Sequence, residues 1–201
     1  VFDDKQARKD LKAYRRKGLD HLAGVIVEQL RPHVRGATVL EVGGGVGAIQ
    51  IELLKAGAVA SVNVEISDAY EDAAMDLASA SGTSDSVQRV VGDFVAEADS
   101  LAAADVVVMN RVVCCYPDMA AMVGAAADKS TKALAMVFPR DRWFMRVVRA
   151  AIAGAMRFRR NPFRFYLHDP GHIVATASAR GLEEVFSQRT AGWQAVVLER
   201  I

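Results

Sequence analysis

The chain has 201 residues, 52% hydrophobic and 24% charged, with a formal net charge of +1. Length and composition fit one globular domain spanning 1–201; no apolar run reaches the ~18 residues of a membrane-spanning helix, and no signal-peptide pattern opens the sequence. The two cysteines, Cys114 and Cys115, are adjacent and offer neither a disulfide framework nor metal-ligand spacing, so a cytoplasmic setting and no metal are expected.

In chain order, residues 4–17 are charged, lack Gly and Pro, and predict a polar helix carrying Leu11 and Tyr14. Gly18 separates it from a second helix, 19–30, with Leu22, Val25, Ile26 and Leu30 on one face, and Pro32 and Gly36 are expected to end it. The run 38–42 reads as a short buried strand and feeds into Gly43-Gly44-Gly45-Val46-Gly47-Ala48, after which a helix pattern runs to about 56. A second strand, 60–65, leads into a helix capped by Ser67 or Asp68 and ending near 80. Strands follow at 87–91 and 105–110, then a helix opened by Pro117 and a fifth strand at 133–138.

A long amphipathic helix is expected over 141–158, with Trp143, Phe144, Val147, Val148, Ala151, Ile152 and Ala155 on one face. Its apolar face predicts ordinary packing on the sheet. An irregular aromatic stretch, 161–170, leads to a helix at 171–180. Two strands, 183–189 and 193–199, lie too close together for a crossover and predict an antiparallel edge hairpin. Strands alternating with helices before that hairpin predict a Rossmann-like α/β fold: seven strands, mostly parallel, with helices on both faces.

The charge is unevenly spread. Residues 1–35 carry nine Lys/Arg against five Asp/Glu, residues 36–139 five against fourteen, and residues 140–164 eight Arg against one Asp. The acidic centre argues against a general nucleic-acid surface, while the Arg-rich segment reads as an anion-binding rim or a peripheral membrane face.

Strand, glycine turn and helix aim free N–H groups and a helix N-terminus at a bound nucleotide, and glycines let the backbone approach it closely. The turn satisfies G-x-G-x-x-[G/A], with Glu65 about 20 residues on, as a dinucleotide site requires. Glu41 extends the pattern to E-x-G-x-G-x-G, and here the chain resembles the class I S-adenosylmethionine-dependent methyltransferases from Leu19 to Ile201. The resemblance implies that Glu41, Gly43, Gly45 and Gly47 hold the amino-acid part of S-adenosylmethionine. It further implies that Glu65 takes the ribose with Ile66 against the adenine, that Asp93 meets the adenine amino group beside Phe94, and that Asn110 and Arg111 line the methyl-donor side. Three acids at three strand ends suit a sulfonium cation better than a pyrophosphate.

The sequence after the fourth strand lacks the Asn/Asp-Pro-Pro-aromatic pattern of methyltransferases acting on DNA-base amino groups, which favours a small-molecule acceptor, anionic acceptors included, over nucleic acid. The layout is also diffusely similar to O-methyltransferases that esterify a carboxylate of magnesium-protoporphyrin. Methylation at oxygen is therefore expected, on a carboxylate placed by arginine or on a hydroxyl deprotonated by His168, His172 or Tyr116. Residues 1–35 are read as a cap over the site and 140–170 as an insertion shaping the acceptor pocket. A small NAD(P)-dependent oxidoreductase and a non-catalytic cofactor-binding partner subunit are the alternatives. The chain starts at Val1 rather than Met, which leaves its N-terminus open, and the oligomeric state is not legible.

Overall fold

The computed structural model describes residues 2–161 and 163–201. Asp3 caps α1 (Asp4–Lys17) by accepting from the Gln6 N–H, and Asp20 caps α2 (His21–Val34) by accepting from Leu22 and Ala23. Contrary to the sequence expectation, α2 continues past Pro32. The proline forgoes its bond to the Glu28 carbonyl, and the fully buried Leu30 and Val34 hold the last turn in place.

The remaining elements are β1 (Thr38–Val42), α3 (Ala48–Lys55), β2 (Ala60–Glu65), α4 (Glu71–Ala80), β3 (Val87–Val91), α5 (Phe94–Glu97), β4 (Ala104–Asn110), α6 (Met119–Lys129), β5 (Ser130–Pro139), α7 (Trp143–Phe158), α8 (Pro170–Ser178), β6 (Leu182–Arg189) and β7 (Trp193–Arg200). The short α5, capped by Asp93, has too few residues to show a period in the sequence.

The strands form one sheet in the order β3-β2-β1-β4-β5-β7-β6. The first five are parallel, and β7 runs antiparallel between β5 and β6, as the expected hairpin. The chain reverses its direction of winding between β1 and β4, which opens a crevice at the carboxyl ends of those strands.

The two-residue period of each strand sorts its side chains between two cores. Leu40, Val107, Met109, Leu134, Met136 and Leu198 pack with α6 and α8 on one face. Val39, Val106, Val108, Ala133, Ala135 and Val197 meet α2 and α3 on the other. A third cluster joins Ala7 and Leu11 of α1 to Tyr70 and Leu77.

α7 departs from expectation. Of its sixteen residues only Met145 is buried, while Trp143 is 76% and Phe158 90% exposed. Both faces of the β5–β7 region are already covered, by α6 and α8 on one side and α2 on the other, so no sheet surface remains for the apolar face of α7.

Candidate functional site

The turn from β1 to α3 is built on left-handed backbone: φ is +62° at Gly43 and +55° at Gly45, where side chains are strained. A Cβ on Gly43 would also run into Val112, and one on Gly45 would come within 3.1 Å of the Tyr70 ring. Gly43 donates to the Val64 carbonyl (2.8 Å), which ties the turn to β2. Arg89 of β3 reaches in from the sheet edge, donating to the Gly45 carbonyl (3.0 Å) and to Glu71.

The acids occupy three distinct environments. Gly47, at the N-cap of α3, has no side chain to satisfy the helix N-terminus; Glu41 takes that role from β1, accepting from the Gln50 N–H (3.1 Å) and from Asn63 Nδ2 (3.4 Å). Burial pushes its carboxyl up from 4.5 to about 8, opposed by the Gln50 bond and by Arg89. Glu65 accepts from the Gly45 N–H through Oε2 (2.9 Å) and from the Ser67 N–H through Oε1 (3.0 Å). Each of its oxygens keeps a lone pair for a ligand. Asp93 accepts from the Val95 N–H through Oδ1 (2.9 Å) and from the Tyr116 hydroxyl through Oδ2 (3.1 Å).

Around the turn lies a cleft of two joined lobes, about 540 and 340 Å³. Gly43, Gly45, Asn110 and Arg111 line both lobes. Glu41 lines the larger lobe, and Glu65, Ile66, Asp93, Phe94 and Tyr116 the smaller, more apolar one. Gly47 lines neither. His168 and His172 also stand outside both lobes: His168 Nε2 lies 2.9 Å from the Tyr116 carbonyl oxygen, and exposed His172 is bound through its backbone N–H to Asp169. Of the cysteines, Cys114 is buried and Cys115 lines the smaller lobe.

Three residues of the cleft were not legible in the sequence. Asp10 and Tyr14 come from α1, and Tyr70 donates to Asp10 (3.0 Å). They belong to elements remote from the glycine turn, and although residues 1–35 read as a cap, nothing in a polar helix says which of its side chains face the site.

The cleft fits S-adenosylmethionine. Asn110 Oδ1 is a buried acceptor without a partner among the described residues, at the junction of the lobes. Asp10 and Asp20 line the larger lobe with Lys17 and Arg111, and the two carboxylates suit a cationic amino-acid moiety. The apolar smaller lobe, with Ile66 and Phe94 beside the Glu65 and Asp93 carboxylates, suits a nucleoside.

The strand order, the glycine turn at the reversal point and the acids ending β1 and β2 and following β3 define the class I methyltransferase fold with a nucleoside-cofactor site. A family model described as methyltransferase domain matches residues 13–197, and the chain belongs to that family: it is an S-adenosylmethionine-dependent methyltransferase. Similar solved structures include magnesium protoporphyrin IX methyltransferase from Synechocystis PCC 6803 with bound SAH, at 20% identity, TM-score 0.73, covering 89% of this chain and 82% of that one. An O-methyltransferase family 2 protein from Planctomyces limnophilus in complex with apigenin is similar at 16% identity and TM-score 0.71, covering 98% of this chain and 62% of that one. A putative RNA methyltransferase from Pyrococcus horikoshii is similar at 14% identity and TM-score 0.64, covering 89% of this chain and 81% of that one. Among curated proteins none matches this sequence.

Proposed function

We propose that the protein methylates a small molecule at oxygen, on a carboxylate that Arg111 places. The observation that carries this reading is the setting of Arg111. It follows β4 directly, lines both lobes and adopts a left-handed backbone (φ 60°). Such a conformation costs a side-chain-bearing residue ~1–3 kcal/mol and persists only where the surroundings enforce it. Here the Arg111 N–H bonds to the Val137 carbonyl (2.8 Å) and the guanidinium lies 4.9 Å from the centre of the Trp193 ring.

The guanidinium pairs with Asp20 at 3.2 Å, both side chains 42% exposed. An ion pair that exposed contributes ~0–1 kcal/mol, so an acceptor carboxylate displaces Asp20 at small cost. A carboxylate is already ionised at neutral pH and needs no base to become a nucleophile. When bound, S-adenosylmethionine supplies an activated methyl on its sulfonium. The chain's own part is to hold cofactor and acceptor: Glu65 and Asn110 on the cofactor, Arg111 on the acceptor, residues 1–35 as a cap that excludes water and 140–170 as a wall of the acceptor pocket. The likeness to a magnesium protoporphyrin IX methyltransferase is in keeping with this acceptor class, and the acidic centre of the chain favours a small molecule over nucleic acid.

A hydroxyl acceptor is the second reading. It draws support from His168, which is held beside the Tyr116 carbonyl, near the smaller lobe. Labelled methyl transfer to a panel of aromatic carboxylic acids and phenols separates the two. The carboxylate reading expects an alkali-labile ester that releases methanol, lost in Arg111→Ala and undiminished in His168→Ala and His172→Ala. An alkali-stable product whose formation collapses in His168→Ala would overturn it.

A further inference from the structure

We propose that α7 is an interfacial helix that docks the protein on an anionic lipid bilayer. At 3.6 residues per turn its side chains divide into three sectors. Met145, Ile152 and Met156 form the stripe turned toward the protein, buried or half-buried. Trp143, Val147, Ala151 and Phe158 fall within about 80° of one another on a second sector, and all four are exposed, Val147 by 60% and Phe158 by 90%. Arg146 and Arg157 border the Trp143 edge, and Arg149 lies between them and the protein-facing stripe. An amphipathic helix with aromatic and aliphatic side chains on one sector and arginines beside it lies in the plane of a membrane interface.

Charge selects the partner. Residues 140–164 carry eight Arg and one Asp. Asp141 is spent on Arg146 (2.8 Å), and among the described residues Arg142, Arg149, Arg157, Arg159, Arg160 and Arg164 enter no ion pair. A second copy of the chain on this face would bring two strongly positive segments together. An RNA would leave Trp143, Val147 and Phe158 in water. An anionic bilayer satisfies both features, taking the apolar sector among its acyl chains and the arginines among its phosphates. Lys5 and Lys9 of α1 line a recess with Arg159 and extend the basic surface past the end of α7.

The helix is coupled to the cleft. The segment that follows it is bound to the wall of the smaller lobe, with the Tyr166 N–H on the Cys114 carbonyl (2.7 Å) and His168 on that of Tyr116. A docked α7 therefore sets the cleft beside the lipid surface. This inference does not rest on the choice of acceptor.

Flotation of the full chain with phosphatidylcholine vesicles, with and without phosphatidylglycerol, tests it. Binding is expected only with the anionic lipid and should weaken as salt is raised. The triple variant Arg149→Gln, Arg157→Gln, Arg159→Gln should lower partitioning roughly 100-fold, given the ~1 kcal/mol that each basic residue contributes near such a surface. The chain has two tryptophans, and Trp143 emission should shift to the blue on docking, a shift lost in Trp143→Phe and in Val147→Asp. All of these positions are exposed, so melting temperature and S-adenosylmethionine affinity should match wild type, which separates lost docking from lost folding. Absence of flotation, equal binding by the variants, retention on RNA in place of vesicles, or a dimer in gel filtration that Val147→Asp dissolves would each overturn the proposal.

Discussion

Glu41 is 2% exposed, and its carboxylate accepts from the Gln50 N–H at the N-terminus of α3. Its role follows from geometry: the cap position is Gly47, where φ is 76° and a Cβ would run into Gln50 Nε2, so the capping acceptor arrives from a neighbouring strand. The consequence is a titration inside the core. Folding raises this carboxyl from 4.5 to about 8, so between those pH values the folded chain holds a proton that the unfolded chain releases. The group's contribution is therefore fully present below pH 4.5 and is lost as pH rises through about 8. The expected loss is up to ~1.4 kcal/mol per pH unit within that window. Urea unfolding across the window should show stability declining toward alkaline pH in the wild type. The decline should flatten in Glu41→Gln, whose amide oxygen still accepts from Gln50. Parallel profiles for the two proteins would remove the buried titration from the account.

Among the elements, β5 shows how the sequence assigns faces. Ala133 and Ala135 are fully buried against α2, whereas Leu134, Met136 and Phe138 fill the opposite side. Small side chains on one face let α2 lie close to the sheet, and large ones on the other fill the wider space under α6 and α8. Ala135→Leu should overfill the α2 side and cost ~1–3 kcal/mol, lowering the melting temperature by several degrees. A melt unchanged from wild type would mean that α2 can move away freely. The sheet was legible in the sequence from strands alternating with helices, and the terminal hairpin from the short gap between its two strands. α7 was not legible in the same way: amphipathicity specifies a face and leaves the partner open, and the sheet had no area left to give. Pro32 misled for a related reason, since local backbone chemistry opposes a helix there and the burial of Leu30 and Val34 overrides it.

Across the whole molecule, the glycine turn and the strand-end acids were legible because they are close in sequence to the strands that place them. The particular α1 side chains that line the cleft were not, although residues 1–35 as a whole read as a cap. α1 is held at the cleft by Tyr70 on Asp10, 60 residues apart in the chain, and tied to α3 by Tyr14 on Glu52, 38 residues apart. Burial and the bond to Glu52 push the Tyr14 phenol up to about 12, so this contact keeps its proton throughout the neutral range. Only Ala7 and Leu11 of α1 are buried, and burying a leucine stabilises by ~1.5–3 kcal/mol, so few interactions resist lifting the helix away from the cleft. Arg15, Arg16 and Lys17 beside Gly18 are exposed, but only unwinding of α1 gives trypsin the extended backbone that it cuts. If the cofactor lies between Asp10 and the glycine turn, which both line the larger lobe, it should favour the form with α1 in place and suppress that cleavage. At a concentration one hundred times its Kd, S-adenosylhomocysteine is expected to slow cutting after Lys17 by approaching ~100-fold. Cutting at exposed Arg159 and Arg160 should keep its rate and serves as the internal control. Equal protection at both places would indicate global stabilisation, and an unchanged rate at Lys17 would separate α1 from the cofactor site.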